Sequence, residues 1–97
     1  MPIRMKVYHR GPETLVAACD ADLLGHTFRE RGLRLEVSGF YEGDVVTEEV
    51  LVAHLKDATM GNFVGKETID AAKRGGFVAD ECVLWIGGVP HAQFVIM

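Results

Sequence analysis

The chain is very poor in Ser, Asn and Gln. Its 97 residues include one Ser (Ser38), one Asn (Asn62) and one Gln (Gln93). Asn and Gln are chemically labile when hot, so their scarcity is typical of a protein from a hot environment. Ser38 has no nucleophile-elbow motif around it, which argues against serine-based catalysis of that kind.

Cysteine and long apolar runs are scarce as well. Cys19 and Cys82 lie far apart, and no Cys or His spacing suits a structural zinc ion. We expect two buried thiols in a reducing compartment. No apolar run approaches the roughly 18 residues of a membrane span, and the N-terminal segment does not resemble a signal peptide. The sequence therefore predicts a cytoplasmic protein with no metal, no cofactor and no membrane partner.

The chain also lacks an excess of positive charge. It has 10 Lys and Arg against 14 Asp and Glu, a formal net charge of −4. Long-range attraction to phosphate is therefore weak, although a local basic patch remains compatible with this balance. The length and the 48% hydrophobic content suit one domain, residues 1–97, with a single modest core.

Hydrophobic periodicity predicts about five strands and two main helices. The strands are expected at 3–9, 14–19, 33–37 and on both sides of Gly87-Gly88-Val89-Pro90, and the helices at 47–58 and 66–74. Residues 26–32 read as a polar connection. Residues 59–65, with two Gly around an Asn, indicate either a tight turn between the helices or a close approach to the backbone. The expected fold is α+β and two-layered: an antiparallel or mixed sheet with both helices packed on one face.

The terminal hairpin is the most distinctive element of the predicted fold. We expect Ile86 to pair with His91 across a four-residue loop. Alternation then divides the hairpin into a core face and a mixed face. The core face carries Val83, Trp85, Ala92 and Phe94, and the mixed face carries Leu84, Ile86, His91 and Gln93.

His91 is the best single candidate for a binding or catalytic side chain. Pro90 fixes the backbone before it, so the imidazole is presented with little entropy to lose. Asp20, Asn62 and Gln93 are candidates to converge on it and to hold a small polar ligand. In the structural alternative, His91 caps the hairpin turn and Gln93 satisfies edge backbone groups.

A second candidate is a group of basic residues. Arg29, Arg31 and Arg34 lie close together, near two Glu residues. Their ordinary interpretation is a solvated face of mixed charge. The sharper hypothesis is an anion or RNA patch in which they join three basic residues near the N-terminus, namely Arg4, Lys6 and Arg10.

Four segments of the chain form a recognisable set: LVAACD at 15–20, LLGHTFRE at 23–30, ATMGNFVG at 58–65 and WIGGVPHAQ at 85–93. Together they resemble an archaeal family known as domain of unknown function 424. The resemblance implies a small, stand-alone, cytoplasmic archaeal protein with an α+β fold, and it implies no assigned activity. The matching motifs mark as positions of interest Asp20, Gly25, Asn62, Gly65, Gly87, Gly88, Pro90, His91 and Gln93.

Three functional hypotheses follow from the sequence. The favoured one is a non-enzymatic binding protein whose partner is RNA or a protein, for example in the translation machinery. The second is a small-molecule-binding protein or enzyme with a polar site at His91, Asn62 and Gln93. The third is a homo-oligomer whose mixed apolar face forms a subunit interface.

Overall fold

A computed structural model describes residues 2–96 and contains two β-sheets and two helices. Within these residues, eight strands form: β1 (Ile3–Arg10), β2 (Glu13–Asp20), β3 (Thr27–Glu30), β4 (Leu33–Glu36), β5 (Asp44–Val46), β6 (Met60–Val64), β7 (Leu84–Ile86) and β8 (Val89–Val95). Helix α1 spans Glu48–Leu55 and α2 spans Lys66–Arg74. Short 3₁₀ turns cover Ala21–Leu23, Gly39–Tyr41 and Asp80–Cys82. The predicted α+β class is confirmed, but the strands exceed the five expected.

The main sheet has six strands in the order β5-β1-β2-β6-β8-β7, and β3 and β4 form a separate hairpin. β2 and β6 run parallel, whereas the other neighbours run antiparallel. The sheet is therefore mixed. A parallel pair needs a long crossover, and here the chain between β2 and β6 supplies the β3–β4 hairpin, β5 and α1.

One face of the main sheet, the helix face, is covered by α1 and α2. Val16, Ala18 and Phe63 point toward the helices and pack with Leu51 of α1 and Ile69 of α2. Helix α1 begins after Thr47, whose side-chain oxygen accepts a hydrogen bond from the Val50 N–H, as expected for an N-cap. It ends at Leu55, three residues before the end that the periodicity predicts.

The opposite face, the hairpin face, carries a second core. Cys19, Val64 and Ile86 pack there with Leu35 of β4 and with Tyr41. The expected two-layer arrangement, with packing on one face only, is therefore incomplete. Successive side chains of a strand point to opposite faces, and β2 is apolar at both sets of positions, so it needs cover on both sides.

Residues 26–32 were expected to be a polar connection, and this expectation is wrong. They contain β3 and the turn that joins it to β4. Phe28 and Leu35 face each other across the pair and point inward, whereas the charged positions between them point outward. Because the outward-pointing residues are charged, the segment looks polar in the sequence, and the strand is not recognised.

A close approach to the backbone occurs within residues 59–65, at Gly61, whereas the turn between helices, the other expectation for these residues, is wrong. They contain β6, at the centre of the sheet. Position 61 requires Gly, since a Cβ there would clash: it would lie 2.4 Å from a ring carbon of Phe94 and 2.5 Å from one of Phe63. Only Gly65, with φ of 106°, has the backbone conformation that makes Gly a turn residue.

The terminal hairpin turns over two residues rather than four. Gly87 and Gly88 both have positive φ, and Ile86 pairs with Val89, not with His91. The pairing register is shifted by two residues from the predicted one. Because a shift of two residues keeps each side chain on its own face, the predicted division of the hairpin into two faces holds. Trp85 was placed in the core, yet it is 55% exposed. It lies on edge strand β7, whereas α2 packs over β2, β6 and β8.

Two further expectations concern the burial of the cysteines and the presence of a membrane-spanning helix. Cys19 is buried as predicted, but Cys82 is exposed, because it ends a 3₁₀ turn before the edge strand β7. No helix within residues 2–96 has the length and apolar character needed to cross a membrane.

Candidate functional site

The β3–β4 pair, with its turn Arg31–Gly32, presents three arginines and is called the arginine hairpin. Arg29 and Arg34 are direct cross-strand partners on its outer face. They flank the pair that closes a two-residue turn, so they occupy a non-hydrogen-bonded position, where side chains are closest. Like charges directly opposite each other destabilise a strand pair. The hairpin keeps this arrangement with all three arginines exposed.

Arg31 adds a third positive charge in a backbone conformation that arginine rarely adopts. Its φ is 50°, and that of Gly32 is 82°, as in a type I′ turn. Asn, Asp or Gly is favoured at the first position of such a turn, and a left-handed arginine costs about 1–2 kcal/mol. A cavity of about 320 Å³ opens at this turn and is lined by residues 29–34.

The carboxylates near these arginines neutralise only part of their charge. Glu36 forms a salt bridge with Arg34 at 3.2 Å. Glu30 points to the other side of the hairpin, where its Oε1 accepts a hydrogen bond from the Gly87 N–H at 2.8 Å. Within residues 2–96, Arg29 and Arg31 have no salt-bridge partner. The hairpin therefore carries uncompensated positive charge on an acidic chain.

The arginine hairpin is held firmly against the main sheet. Phe28 and Leu35 enter the hairpin-face core, and the Glu30 carboxylate ties the hairpin to the β7–β8 turn. A Cβ on Gly87 would lie 3.3 Å from the Arg29 carbonyl oxygen, so the two turns approach closely. The arginines are thus presented on a fixed scaffold, which lowers the ordering cost of binding.

The predicted single basic patch is split by the fold. Arg4, Lys6 and Arg10 lie on β1, whereas the arginine hairpin contacts β7, four strands away. Neighbouring strands lie about 4.8 Å apart, so β1 and β7 are about 19 Å apart across the sheet. Arg4 donates to the Gly43 carbonyl oxygen at 2.9 Å and is partly buried, which removes it from a surface patch.

The hairpin face of the main sheet is open where the arginine hairpin does not cover it, and it forms a groove there, which we call the sheet cleft. The groove is lined by Tyr8, Leu15, Phe40, Met60, Asn62 and Gln93. Its wider end, about 360 Å³, also touches His9, Arg10 and Glu13. Its narrower end, about 130 Å³, contains both amides. Leu15, Phe40 and Met60 line both ends and make the cleft continuous.

Aromatic rings form one wall of the sheet cleft. The Phe40 ring stacks on Tyr8 with centroids 5.2 Å apart and planes 12° apart, and meets Tyr41 edge-on at 5.1 Å. The Tyr8 hydroxyl donates to the Phe40 carbonyl oxygen at 2.7 Å. Lys6 Nζ lies 5.3 Å from the Tyr8 ring centroid, within cation–π range. Phe40 is nevertheless 39% exposed.

The structure brings Asn62 and Gln93 together. They are direct cross-strand partners on β6 and β8, both pointing to the hairpin face. The buried Tyr41 hydroxyl donates to Asn62 Oδ1, so the Asn62 amide nitrogen keeps its two donors for another partner. Burial raises the pKa of Tyr41 to about 12, and Cys19 adds to this shift, so the hydroxyl stays a donor at neutral pH.

His91 and Pro90 do not join the two amides in the sheet cleft. His91 Nδ1 lies 3.0 Å from the carbonyl oxygen of Phe63 on the neighbouring strand β6, so it does not cap the hairpin turn as the structural alternative predicts. Pro90 is buried and its carbonyl oxygen accepts from the Gly65 N–H at 2.9 Å. His91 and Pro90 are therefore absent from the lining of the sheet cleft.

Asp20 serves the fold rather than the sheet cleft. Its Oδ1 accepts from the Thr68 N–H at 2.9 Å and from Thr68 Oγ1 at 2.8 Å, and its Oδ2 accepts from the Glu67 N–H at 3.2 Å. Asp20, at the end of β2, thus caps α2 and accepts hydrogen bonds from N–H groups that the helix leaves free. Gly65 leaves room for it, since a Cβ there would lie 2.4 Å from Asp20 Cγ.

Nucleophilic and metal-assisted chemistry gain no support from the side chains described. Burial, reinforced by the neighbouring Asp20 carboxylate, raises the pKa of Cys19 to about 11, so its thiol is protonated and unreactive at neutral pH. No group of three metal-ligating side chains occurs within residues 2–96.

The comparisons with known proteins agree with the resemblance found in the motifs. The profile of a family described as a protein of unknown function, DUF424, matches residues 8–97. The chain belongs to DUF424. An uncharacterised conserved protein from Methanopyrus kandleri, known from a crystal structure, has the same fold as this DUF424 protein. The TM-score is 0.87 at 23% identity, covering 100% of this chain and 93% of the other. A comparison with curated proteins finds no match.

Sequence reasoning missed the aromatic wall of the sheet cleft in this DUF424 protein. The sequence of residues 38–44 predicts a loop that Phe40 or Tyr41 anchors to the core, and Tyr41 does so, whereas Phe40 lines the sheet cleft. Tyr8 belongs to the predicted first strand, on the face that also carries Lys6 and Arg10. That alternation of basic and aromatic side chains on one strand face was the available signal.

Proposed function

We propose that this protein is a non-enzymatic RNA-binding protein that holds RNA phosphates on the arginine hairpin. The observation that carries the proposal is the direct pairing of Arg29 with Arg34 beside a left-handed Arg31. The protein tolerates electrostatic repulsion and backbone strain at one exposed turn. A bound anion would relieve the repulsion.

Phosphate is the anion that suits this turn best. Guanidinium groups present N–H donors in a rigid fork that binds phosphate or carboxylate oxygens in a bidentate way. Three such groups within six residues match a backbone that carries one negative charge per phosphate. An acidic protein segment is the competing ligand, and it is made an outcome of the test below.

The acidic character of the whole chain shapes the expected binding. With a net charge of −4, attraction to RNA at long range is weak, and binding depends on local contacts. Each phosphate contact to a single strand releases counterions and steepens the salt dependence by about 0.7 in a plot of log K against log salt. Few contacts should therefore give modest affinity that disappears at high salt.

The test is fluorescence anisotropy with a labelled 12-nucleotide single-stranded RNA at low salt. We expect saturable binding that Arg29→Ala and Arg31→Ala each weaken about three- to ten-fold, a typical loss for one charged contact. Lys56→Ala is the matched control, because it removes one exposed positive charge beyond the end of α1. It should leave binding within about two-fold of the wild type.

Three outcomes would overturn the proposal. The first is no RNA binding at low salt. The second is equal weakening by Lys56→Ala, which would mean that only net charge matters. The third is displacement of the RNA by poly-glutamate as effectively as by unlabelled RNA, which would point to an acidic protein partner instead.

A further inference from the structure

The sheet cleft combines features that none of the hypotheses about the arginine hairpin uses. It contains an exposed aromatic ring, an apolar floor and the two carboxamides of the chain. It lies toward β1, whereas the arginine hairpin contacts β7. A ligand of the sheet cleft would therefore be held by different side chains from those that hold phosphates at the hairpin.

We propose that the sheet cleft binds a nucleobase. The planar ring packs at the narrow end between Phe40 and the apolar floor formed by Leu15 and Met60. Its polar edge meets the amides of Asn62 and Gln93. The ribose and phosphate side points to the wide end, where Arg10 and His9 lie.

The chemistry of the amide pair favours a base over an apolar ring. The Asn62 oxygen is occupied by the Tyr41 hydroxyl, which leaves its N–H₂ group as a donor. Within residues 2–96, the exposed Gln93 amide has no hydrogen-bond partner and offers both donor and acceptor. Base edges present such donors and acceptors side by side, and single-stranded RNA is commonly read by stacking plus hydrogen bonds to base edges.

The dimensions set the size of the ligand. The narrow end, about 130 Å³, is well below the roughly 300–1,000 Å³ of sites that hold drug-sized molecules. It therefore suits one ring system. The wide end, about 360 Å³, leaves room for a sugar and a phosphate beside the Arg10 guanidinium.

The composition of the chain supplies a specific test. Because the protein has one Asn and one Gln, a ¹⁵N spectrum contains only two side-chain amide N–H₂ pairs. We would titrate the ¹⁵N-labelled full chain with adenosine, guanosine, cytidine and uridine in turn. Ribose 5-phosphate, which has no base, is the control ligand. We expect both amide pairs to shift in a saturable way with at least one nucleoside, and not with ribose 5-phosphate.

Variants tie the shifts to the sheet cleft. Phe40→Ala should weaken nucleoside binding roughly five- to hundred-fold, the range measured for loss of one stacking contact. Gln93→Ala, at an exposed position where folding is not at risk, should weaken it about two- to ten-fold. Trp85→Ala removes an even more exposed aromatic side chain, on the helix face, and should leave binding unchanged.

The outcomes separate this proposal from the proposed function. If no nucleoside moves the amide signals, or ribose 5-phosphate moves them equally, the nucleobase site is wrong, whatever the RNA measurement gives. If nucleosides bind, a 12-nucleotide RNA identifies the source of the base. An RNA that shifts the same signals at lower concentration makes the ligand an RNA base, and an RNA that leaves them unmoved makes it a free nucleoside or nucleotide.

Discussion

Asn62 and Gln93 stand directly opposite each other on β6 and β8, although they are 31 positions apart in the chain and are its only carboxamides. The Tyr41 hydroxyl donates to the Asn62 side chain. Tyr41 belongs to the same 3₁₀ turn, Gly39–Tyr41, as Phe40. The amide pair and the aromatic wall of the sheet cleft are thus held by one short segment. Changes in that segment should affect both stability and ligand binding.

Tyr41→Phe tests this link through the pH dependence of folding. Burial raises the folded pKa of Tyr41 from 10.0 to about 12 and that of Cys19 from 9.0 to about 11. Each group stabilises the folded state fully below its unfolded pKa, and this stabilisation is lost as the pH rises through the folded value. We expect the free energy of unfolding to fall between about pH 9 and pH 12, by at most about 3 kcal/mol per group.

Urea denaturation at a series of pH values measures this loss. At pH 7, Tyr41→Phe should cost about 1 kcal/mol, because the hydrogen bond to Asn62 is lost. Above pH 10 its stability should decline less steeply than that of the wild type. Parallel declines of the two proteins across this range would contradict the assigned role of Tyr41.

Asp20→Ala should destabilise the protein through the loss of the α2 cap. It leaves the Glu67 and Thr68 N–H groups and the Thr68 hydroxyl without their acceptor, at a cost of about 1–3 kcal/mol. Asp22→Ala removes an exposed acid two residues away and should change stability by less than about 0.5 kcal/mol. Denaturant midpoints compare the two variants, and equal effects would refute the capping role.

Arg31→Asn should separate stability from function at the arginine hairpin. Asn-Gly is the favoured pair for a type I′ turn, so the strain of a left-handed arginine is relieved. We expect the free energy of unfolding to rise by about 0.5–1 kcal/mol while RNA affinity falls. Thermal denaturation and anisotropy on the same sample check both effects. Lower stability of the variant would show that Arg31 serves the fold, and unchanged RNA affinity would show that Arg31 makes no phosphate contact.

The two cysteines should differ sharply in reactivity. Cys82 is exposed, whereas Cys19 is buried with a pKa of about 11. At pH 8, iodoacetamide should modify Cys82 alone, and Cys19 should react only after the chain is unfolded in urea. Mass spectrometry of the digested protein reports both sites. Rapid modification of Cys19 in the native protein would contradict the described core.

Most of the strands and helices could be predicted because local patterns decide them. Helix α2 begins at Lys66 and ends at Arg74 as predicted, since Gly75-Gly76 stops it. Strand β6 could not be predicted, because its glycine and asparagine carry turn signals that long-range contacts override. Gly61 is required by the rings of Phe63 and Phe94, a contact invisible in a single sequence.

The candidate sites show the same limit. Asn62 and Gln93 could be selected from the sequence because they are unique, but their pairing depends on the sheet order. The split of the basic residues depends on it as well, since β1 and β7 lie far apart in the sheet. The exposure of Trp85 follows from where the helix layer ends, at β8, which no local pattern records.

The measurement that tests the proposed RNA binding most directly is its salt dependence in the wild type and in a variant with Arg29, Arg31 and Arg34 all changed to Ala. Anisotropy titrations with the 12-nucleotide RNA between 20 and 200 mM KCl would give the slope of log K against log salt. If each arginine contacts one phosphate, the slope should become shallower by about 2 in the variant, from about 0.7 per lost contact. An unchanged slope in a folded triple variant would contradict phosphate binding at the arginine hairpin.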